Sequence, residues 1–169
     1  MSVSSPVIGL TLNYRDAIRT IRCVNSLLSE GVIHVLVWDN SEDNGVSVSI
    51  LSDKFMHDDR VSIERSLVNL GFASGVNRGL DWVTAHFGKT WVLLLNNDAW
   101  LLSDAIAPLV VALEEQIQAV IAYPDINNDG SIVGTVYYQR HTGLLTRRPL
   151  PNSLRRTQAS RQQLMIAKL

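Results

Sequence analysis

Residues 91–98 read Trp91-Val92-Leu93-Leu94-Leu95-Asn96-Asn97-Asp98, an apolar run that ends abruptly in two amides and a carboxylate. Consecutive aliphatic residues without polar alternation suit a strand covered on both faces, as in the centre of a parallel sheet flanked by helices. In open α/β sheets, ligands collect in the crevice beyond the carboxyl ends of the strands. Asn96, Asn97 and Asp98 then fall where chemistry is done, and Asp98 becomes a candidate metal ligand. Asn and Asp are also ordinary turn and helix-cap residues, so the rest of the chain has to decide between the two roles.

The residues before this run alternate between strand and helix patterns. Val7 to Leu12 reads as a first strand after Pro6, and Asp16 can cap a helix whose apolar positions are Ile18, Ile21, Cys23 or Val24, Leu27 and Leu28 before Gly31 stops it. Val32 to Trp38 is a second strand, Val46 to Phe55 a short helix, and Val61 to Glu64 an alternating strand. In Asn69-Leu70-Gly71-Phe72-Ala73-Ser74-Gly75 two glycines bracket small residues and predict a sharp turn, followed by a helix over Val76 to Phe87 that Gly88 ends. After the 91–98 run come a helix from Ser103 or Asp104 to about Glu115, an apolar run at Ala119 to Ala122, a turn at Asn127 to Gly130 and a strand over Ile132 to Tyr138. This order predicts an α/β fold: a doubly wound, mostly parallel sheet with helices on both faces and right-handed crossovers.

At 169 residues and 46% hydrophobic content, one domain with a real core is expected. No apolar run approaches the roughly 20 residues of a membrane helix, and no signal-peptide pattern opens the chain. The single cysteine, Cys23, reads as a small core residue and, with no internal disulfide to form, fits a cytoplasmic location. All 16 acidic residues lie at or before Asp129, whereas seven of the 15 basic ones follow it, among them Arg140, Arg147, Arg148, Arg155, Arg156 and Arg161. Composition favours a solvated or loosely ordered basic tail over a dedicated anion or membrane-surface site.

Three expected strand ends carry polar clusters: Asn13-Tyr14-Arg15, Asp39-Asn40-Ser41 and Asn96-Asn97-Asp98. Parallel strands bring all three to one edge of the sheet. There Tyr14 could stack on a base, Asp39 accept from a base N–H, and Asp98 hold a divalent cation that bridges phosphates. Neither a phosphate-loop lysine motif nor a G-x-G-x-x-G follows the first strand, which argues against nucleotide hydrolases and dinucleotide dehydrogenases.

These motifs, with Val37-Trp38-Asp39-Asn40-Ser41-Glu42-Asp43 and Asn69 through Asn77-Arg78-Gly79, resemble the family-two glycosyltransferases of GT-A fold, and in particular their rhamnosyltransferase-like branch. The likeness keeps the family's order from Val7 to about Gly134. It implies a GT-A (Rossmann-like) core over residues 1–134 that binds a nucleotide-diphospho-sugar, and a basic remainder over residues 135–169 that is partial or poorly ordered. It further implies that Leu12, Asn13 and Tyr14 line the base pocket, that Asp39 with Asn40 contacts a pyrimidine, and that Gly71 and Asn77 border the diphosphate and sugar. Asn96-Asn97-Asp98 takes the place of the family's Asp-x-Asp motif, with Asp98 as the ligand of Mg²⁺ or Mn²⁺ and Asn96 in place of the first aspartate.

The activity so implied is that of an inverting glycosyltransferase of polysaccharide biosynthesis. It would move a sugar, rhamnose if the likeness to that branch extends to the donor, to a saccharide or lipid-linked acceptor in the cytoplasm or at the inner face of the membrane, with no nucleic-acid partner. In the family the catalytic base comes from a later acidic segment, and no residue here matches it. The chain is therefore expected to stop before that half of the enzyme: a truncated protein, one completed by a partner, or a module that binds donor without transfer.

Overall fold

The computed structural model describes residues 6–101, 106–107, 125–126, 132–134, 137–139, 144–146 and 165–168. Strands and helices alternate as β1 (Val7–Asn13), α1 (Ala17–Ser29), β2 (His34–Asp39), α2 (Val46–Phe55), β3 (Val61–Arg65), α3 (Gly71–Phe87) and β4 (Trp91–Leu94). Five short strands follow: β5 (Asp125–Ile126), β6 (Ile132–Gly134), β7 (Tyr137–Gln139), β8 (Leu144–Thr146) and β9 (Met165–Lys168). The main sheet has the order β3-β2-β1-β4-β9. Its first four strands are parallel, and β9 adds antiparallel to β4 with Leu94 opposite Met165. β1 is thus the middle strand, and β4 is interior because β9 flanks it.

β5–β6 and β7–β8 form separate antiparallel pairs, so the stretch read as one strand from Ile132 to Tyr138 is two. The helix expected from Ser103 or Asp104 to Glu115 lies outside the described residues except for Ile106 and Ala107, which are helical. The Ala119 to Ala122 run, the Asn127 to Gly130 turn and the tail arginines also lie outside them.

Side chains of β1, β2 and β4 alternate between two apolar layers, which is why these strands read as continuous apolar runs, whereas the edge strand β3 puts only Val61 and Ile63 on an apolar layer and reads as alternating. On one face Val7, Val35, Val37 and Leu93 pack with Val24 and Leu27 of α1 and Leu51 and Phe55 of α2. On the other, Ile8, Leu10, Leu36 and Val92 pack with Val76, Leu80 and Val83 of α3.

α1 begins where Asp16 Oδ1 accepts from the backbone N–H of Arg19 at 3.1 Å, the capping that its sequence predicts. Its buried stripe is Ala17, Thr20, Cys23, Val24 and Leu27. Ile18, expected in the core, is 66% exposed, because it lies about 100° around the helix from Ala17. Cys23 is fully buried, and burial pushes its thiol up to about 12 while the Thr11 hydroxyl pulls back only in part. It is a protonated core residue, as its context predicts, and not a nucleophile.

α3 departs most from expectation. It starts at Gly71, where φ is +73°, rather than at Val76, so residues 72–75 form its first turn and not a loop. Gly75 and Gly79 face β1: a Cβ on Gly79 would lie 2.6 Å from Leu10 Cδ1, and one on Gly75 would lie 2.8 Å from Leu12 Cδ2. These glycines let a helix approach a strand. Gly79→Ala is expected to destabilise the protein, because overpacking against the fully buried Leu10 costs about 1–3 kcal/mol and alanine's helix propensity returns only about 1 kcal/mol. A urea midpoint at or above that of the wild type would show that Leu10 has room to move.

Candidate functional site

The carboxyl ends of β1, β2 and β4 converge on one edge of the sheet and wall a cleft of about 590 Å³. Leu12, Asn13 and Tyr14 come from the end of β1, Asn40 from β2, Gly71 with Asn69 and Phe72 from the start of α3, and Asn96, Asn97 and Asp98 from the turn after β4. A second cleft of about 430 Å³ adjoins it, lined by Arg15, Asp39, Glu42, Asp43, Asn44, Gly45, Arg65, Ser66 and Leu67. Of the residues singled out in the sequence, Asp39 belongs to this smaller cleft. Asn77 is exposed on α3 and lines neither, because the face of α3 turned to the sheet is that of Gly75, Gly79 and Val83.

The floor between the clefts is built on Asn13, a fully buried side chain. Its Nδ2 donates to Asp39 Oδ1 at 2.6 Å and to Ser41 Oγ at 2.9 Å, while its Oδ1 accepts from Thr20 Oγ1 at 2.7 Å and from the Asp16 backbone N–H at 3.3 Å. An amide side chain offers two donor hydrogens and two acceptor lone pairs, so Asn13 has no hydrogen-bonding capacity left for a ligand. Ser41 Oγ also donates to Asp39 Oδ1 and accepts from the backbone N–H of Arg15 at 2.8 Å. Asp39, 2% exposed, is thereby held rigidly at the edge of the smaller cleft.

Two further amides turn inward. Asn40 Nδ2 donates to Gly71 O at 3.0 Å and its Oδ1 accepts from Ser66 Oγ at 2.7 Å, tying the end of β2 to the start of α3. Asn97 Nδ2 donates to Thr20 Oγ1 at 3.1 Å. The groups left facing the larger cleft are the Tyr14 ring, half exposed with the Arg15 guanidinium 5.2 Å from its centroid, together with exposed Asn96 and Asp98. Among the described residues the Asp98 carboxylate takes no hydrogen bond or ion pair, and no three His, Cys, Asp or Glu side chains cluster as a metal site. One free carboxylate beside an amide suits a hard divalent cation only when oxygen atoms of a ligand complete its shell.

The smaller cleft carries signals that the sequence reading left aside. The positive-φ non-glycine residues of the described chain, Arg15, Glu42 and Asn44, all border it, and such backbone strain clusters at functional sites. Arg65 belongs to it because the register sets Arg65 opposite Asp39, so the end of β3 is a fourth strand end at the site. Asp43, whose Oδ2 accepts from Ser47 Oγ at 2.6 Å, has its carboxyl held below the usual range by that hydroxyl. Its buried Oδ1 has no partner among the described residues.

Solved structures share this fold. The mannosyltransferase PcManGT from Pyrobaculum calidifontis, in complex with GDP-Man and Mn²⁺, superposes with a TM-score of 0.56 at 16% identity over 75% of this chain and 37% of that one. TarS of S. aureus, as its 1–349 fragment, gives a TM-score of 0.60 at 16% identity over 79% of this chain and 40% of that one. The longer TarS chain gives 0.59 at 16% identity, over 79% of this chain and 24% of that one. The chain therefore spans two fifths or less of the length of these proteins, and the shared part is a GT-A α/β fold. No curated protein matches the sequence. The model of the glycosyl transferase family 2 matches residues 10–166, nearly the whole chain, and by that match the protein belongs to this family.

Proposed function

We propose that this chain is the donor-binding part of an inverting glycosyltransferase that takes a sugar from a nucleotide-diphospho-sugar. The observation that carries the reading is the meeting of the Tyr14 ring, Asn96 and an Asp98 carboxylate unpartnered among the described residues in one cleft, with Asp39 and Arg65 in the cleft beside it. The base lies toward Asp39, with Tyr14 as its stacking surface, and the diphosphate lies toward Asp98. Asp98, with Asn96 beside it, would hold Mg²⁺ or Mn²⁺ jointly with the diphosphate oxygens, and the cation would neutralise the departing diphosphate. The solved relative that carries GDP-Man and Mn²⁺ supports a donor and a cation of this kind.

In the transfer, an acceptor hydroxyl loses its proton to a base, its oxygen attacks the anomeric carbon, and the sugar–phosphate bond breaks to release the nucleoside diphosphate. The base is assigned to no residue of this chain. The likeness to the rhamnosyltransferase-like branch makes a rhamnose donor the first to test, with a saccharide or lipid-linked acceptor. No helix among the described residues is long and apolar enough to cross a membrane, and the reading places the protein in the cytoplasm or at the inner membrane face. The alternative is donor binding without transfer. Thermal shift with TDP-rhamnose, UDP-sugars and GDP-mannose, each with and without Mn²⁺, tests donor binding, and release of the nucleoside diphosphate in the presence of acceptor separates enzyme from binder.

Asp39 gives a direct test of the base end. A lost hydrogen bond from a base N–H to a carboxylate is worth about 1.5–3 kcal/mol, so Asp39→Ala should weaken nucleotide binding about tenfold or more. Unchanged affinity in a folded variant would remove Asp39 from the site.

A further inference from the structure

We propose that Thr20, a helix residue lining neither cleft, is a positioning residue that holds the Asp98-bearing turn in register with the Asn13–Asp39 floor. The proposal rests on the donor-site reading above. Its basis is a continuous chain of side-chain hydrogen bonds beneath the site. Asn97 Nδ2 donates to Thr20 Oγ1 at 3.1 Å, the Thr20 hydroxyl donates to Asn13 Oδ1 at 2.7 Å, and Asn13 Nδ2 donates to Asp39 Oδ1 at 2.6 Å. Thr20 and Asn13 are wholly buried and Asn97 half-buried, so water does not compete for the Thr20–Asn13 and Asn13–Asp39 bonds.

A hydroxyl at position 20 can accept from one amide and donate to the other through a single atom, which an isosteric valine cannot do. Thr20 Oγ1 also lies 2.9 Å from Asp16 O, so its one proton is shared between that carbonyl and Asn13. Among the described residues two other polar ties run from α1 to the segment after β4: Cys23 Sγ to Asn96 O at 3.5 Å, where a thiol is a weak donor, and the Leu101 backbone N–H to Ser26 Oγ at 3.1 Å, three residues beyond Asp98 and apart from Asn13. Among the described residues Thr20 therefore carries the side-chain link between the wall that faces the cation and the wall that faces the base, beside the backbone bond from Leu95 N–H to Leu10 O. Cation and nucleotide binding are coupled through it, and by linkage the coupling is reciprocal.

The test is calorimetry on wild type, Thr20→Val and Thr20→Ser with UDP, TDP and GDP as probes, each with and without Mn²⁺. Without metal, Thr20→Val should bind the preferred nucleotide within about twofold of wild type, but its Mn²⁺ enhancement should fall about threefold to tenfold, the scale of one neutral hydrogen bond. Thr20→Ser should restore the enhancement. Full enhancement in Thr20→Val, or equal weakening with and without metal, would overturn the proposal.

A second measurement needs no ligand. In the NMR spectrum of the free protein, Thr20→Val should shift the side-chain amide resonances of Asn97 and Asn13 together, and Thr20→Ser should return both. Asn97→Ala cuts the tie from its half-buried end and should likewise move the Asn13 amide, which serves if Thr20→Val does not fold. An Asn13 amide that stays in place in these variants would overturn the proposal. If wild type binds none of the three nucleotides the donor-site reading fails, while the NMR result still decides whether Thr20 joins the two walls.

Discussion

Asp98→Asn is expected to abolish the Mn²⁺-dependent part of nucleoside diphosphate binding and to leave the fold unchanged. The fold is safe because the Asp98 carboxylate is exposed and has no hydrogen-bond partner among the described residues, and substitutions at such positions change stability by less than about 0.5 kcal/mol. The binding is not, because divalent cations are hard and favour charged oxygen ligands. The amides beside Asp98 cannot compensate: Asn96 is neutral, and Asn97 is committed to Thr20. A cation held by one carboxylate and the diphosphate binds weakly alone, so the enhancement should be seen only with nucleotide present. The measurement is nucleotide affinity with and without Mn²⁺ for both proteins. A wild type without metal enhancement, or a variant that keeps all of it, would show that Asp98 is no metal ligand and would remove the main support for the transferase reading.

Much of the architecture was legible because β1, β2 and β4 advertise themselves by apolar runs that end in polar residues, and the edge strand β3 by its alternation. Val46 to Phe55 is helical as read, and the first four strands lie where their runs are. The misreadings have physical causes. Gly75 looked like a turn glycine, yet a helix pressed against a strand also needs residues without a Cβ, and only the packing partner, Leu12 or Asn40, tells the cases apart. Ile18 looked like core because its hydrophobicity is visible and the direction of the stripe set by Ala17, Val24 and Leu27 is not.

At the site, the convergence of three strand ends followed from parallel topology, and it brought eight of the ten singled-out residues to one cleft. What the residue types could not reveal was the direction of each amide. Asn13, Asn40 and Asn97 all point into the protein and hold walls in place, whereas Tyr14, Asn96 and Asp98 are exposed. Arg65 escaped notice because its place beside Asp39 is a matter of β2–β3 register, which no local pattern encodes.

Of these framework amides, Asn13 should matter most, and Asn13→Ala is expected to lower stability by on the order of 3 kcal/mol or more. The variant removes four hydrogen bonds at once, including the one to the buried Asp39 carboxylate, and bonds to charged groups are the stronger kind. Asp39 Oδ1 would keep only Ser41, and the Thr20 hydroxyl would fall back on Asp16 O. Asn13→Asp discriminates between loss of volume and loss of donors: it is isosteric and keeps the acceptors, but it replaces the Nδ2 donor with an oxygen against Asp39 Oδ1, so two carboxylates would meet in a buried space. Its urea midpoint should therefore fall as well, and should recover partly at low pH as one carboxyl takes up a proton and donates to the other. An Asn13→Ala protein within about 1 kcal/mol of wild type would mean that water enters and replaces the amide. The floor of the site would then be hydrated rather than held by Asn13, and the rigidity assigned to Asp39 would have to come from Ser41 and the backbone alone.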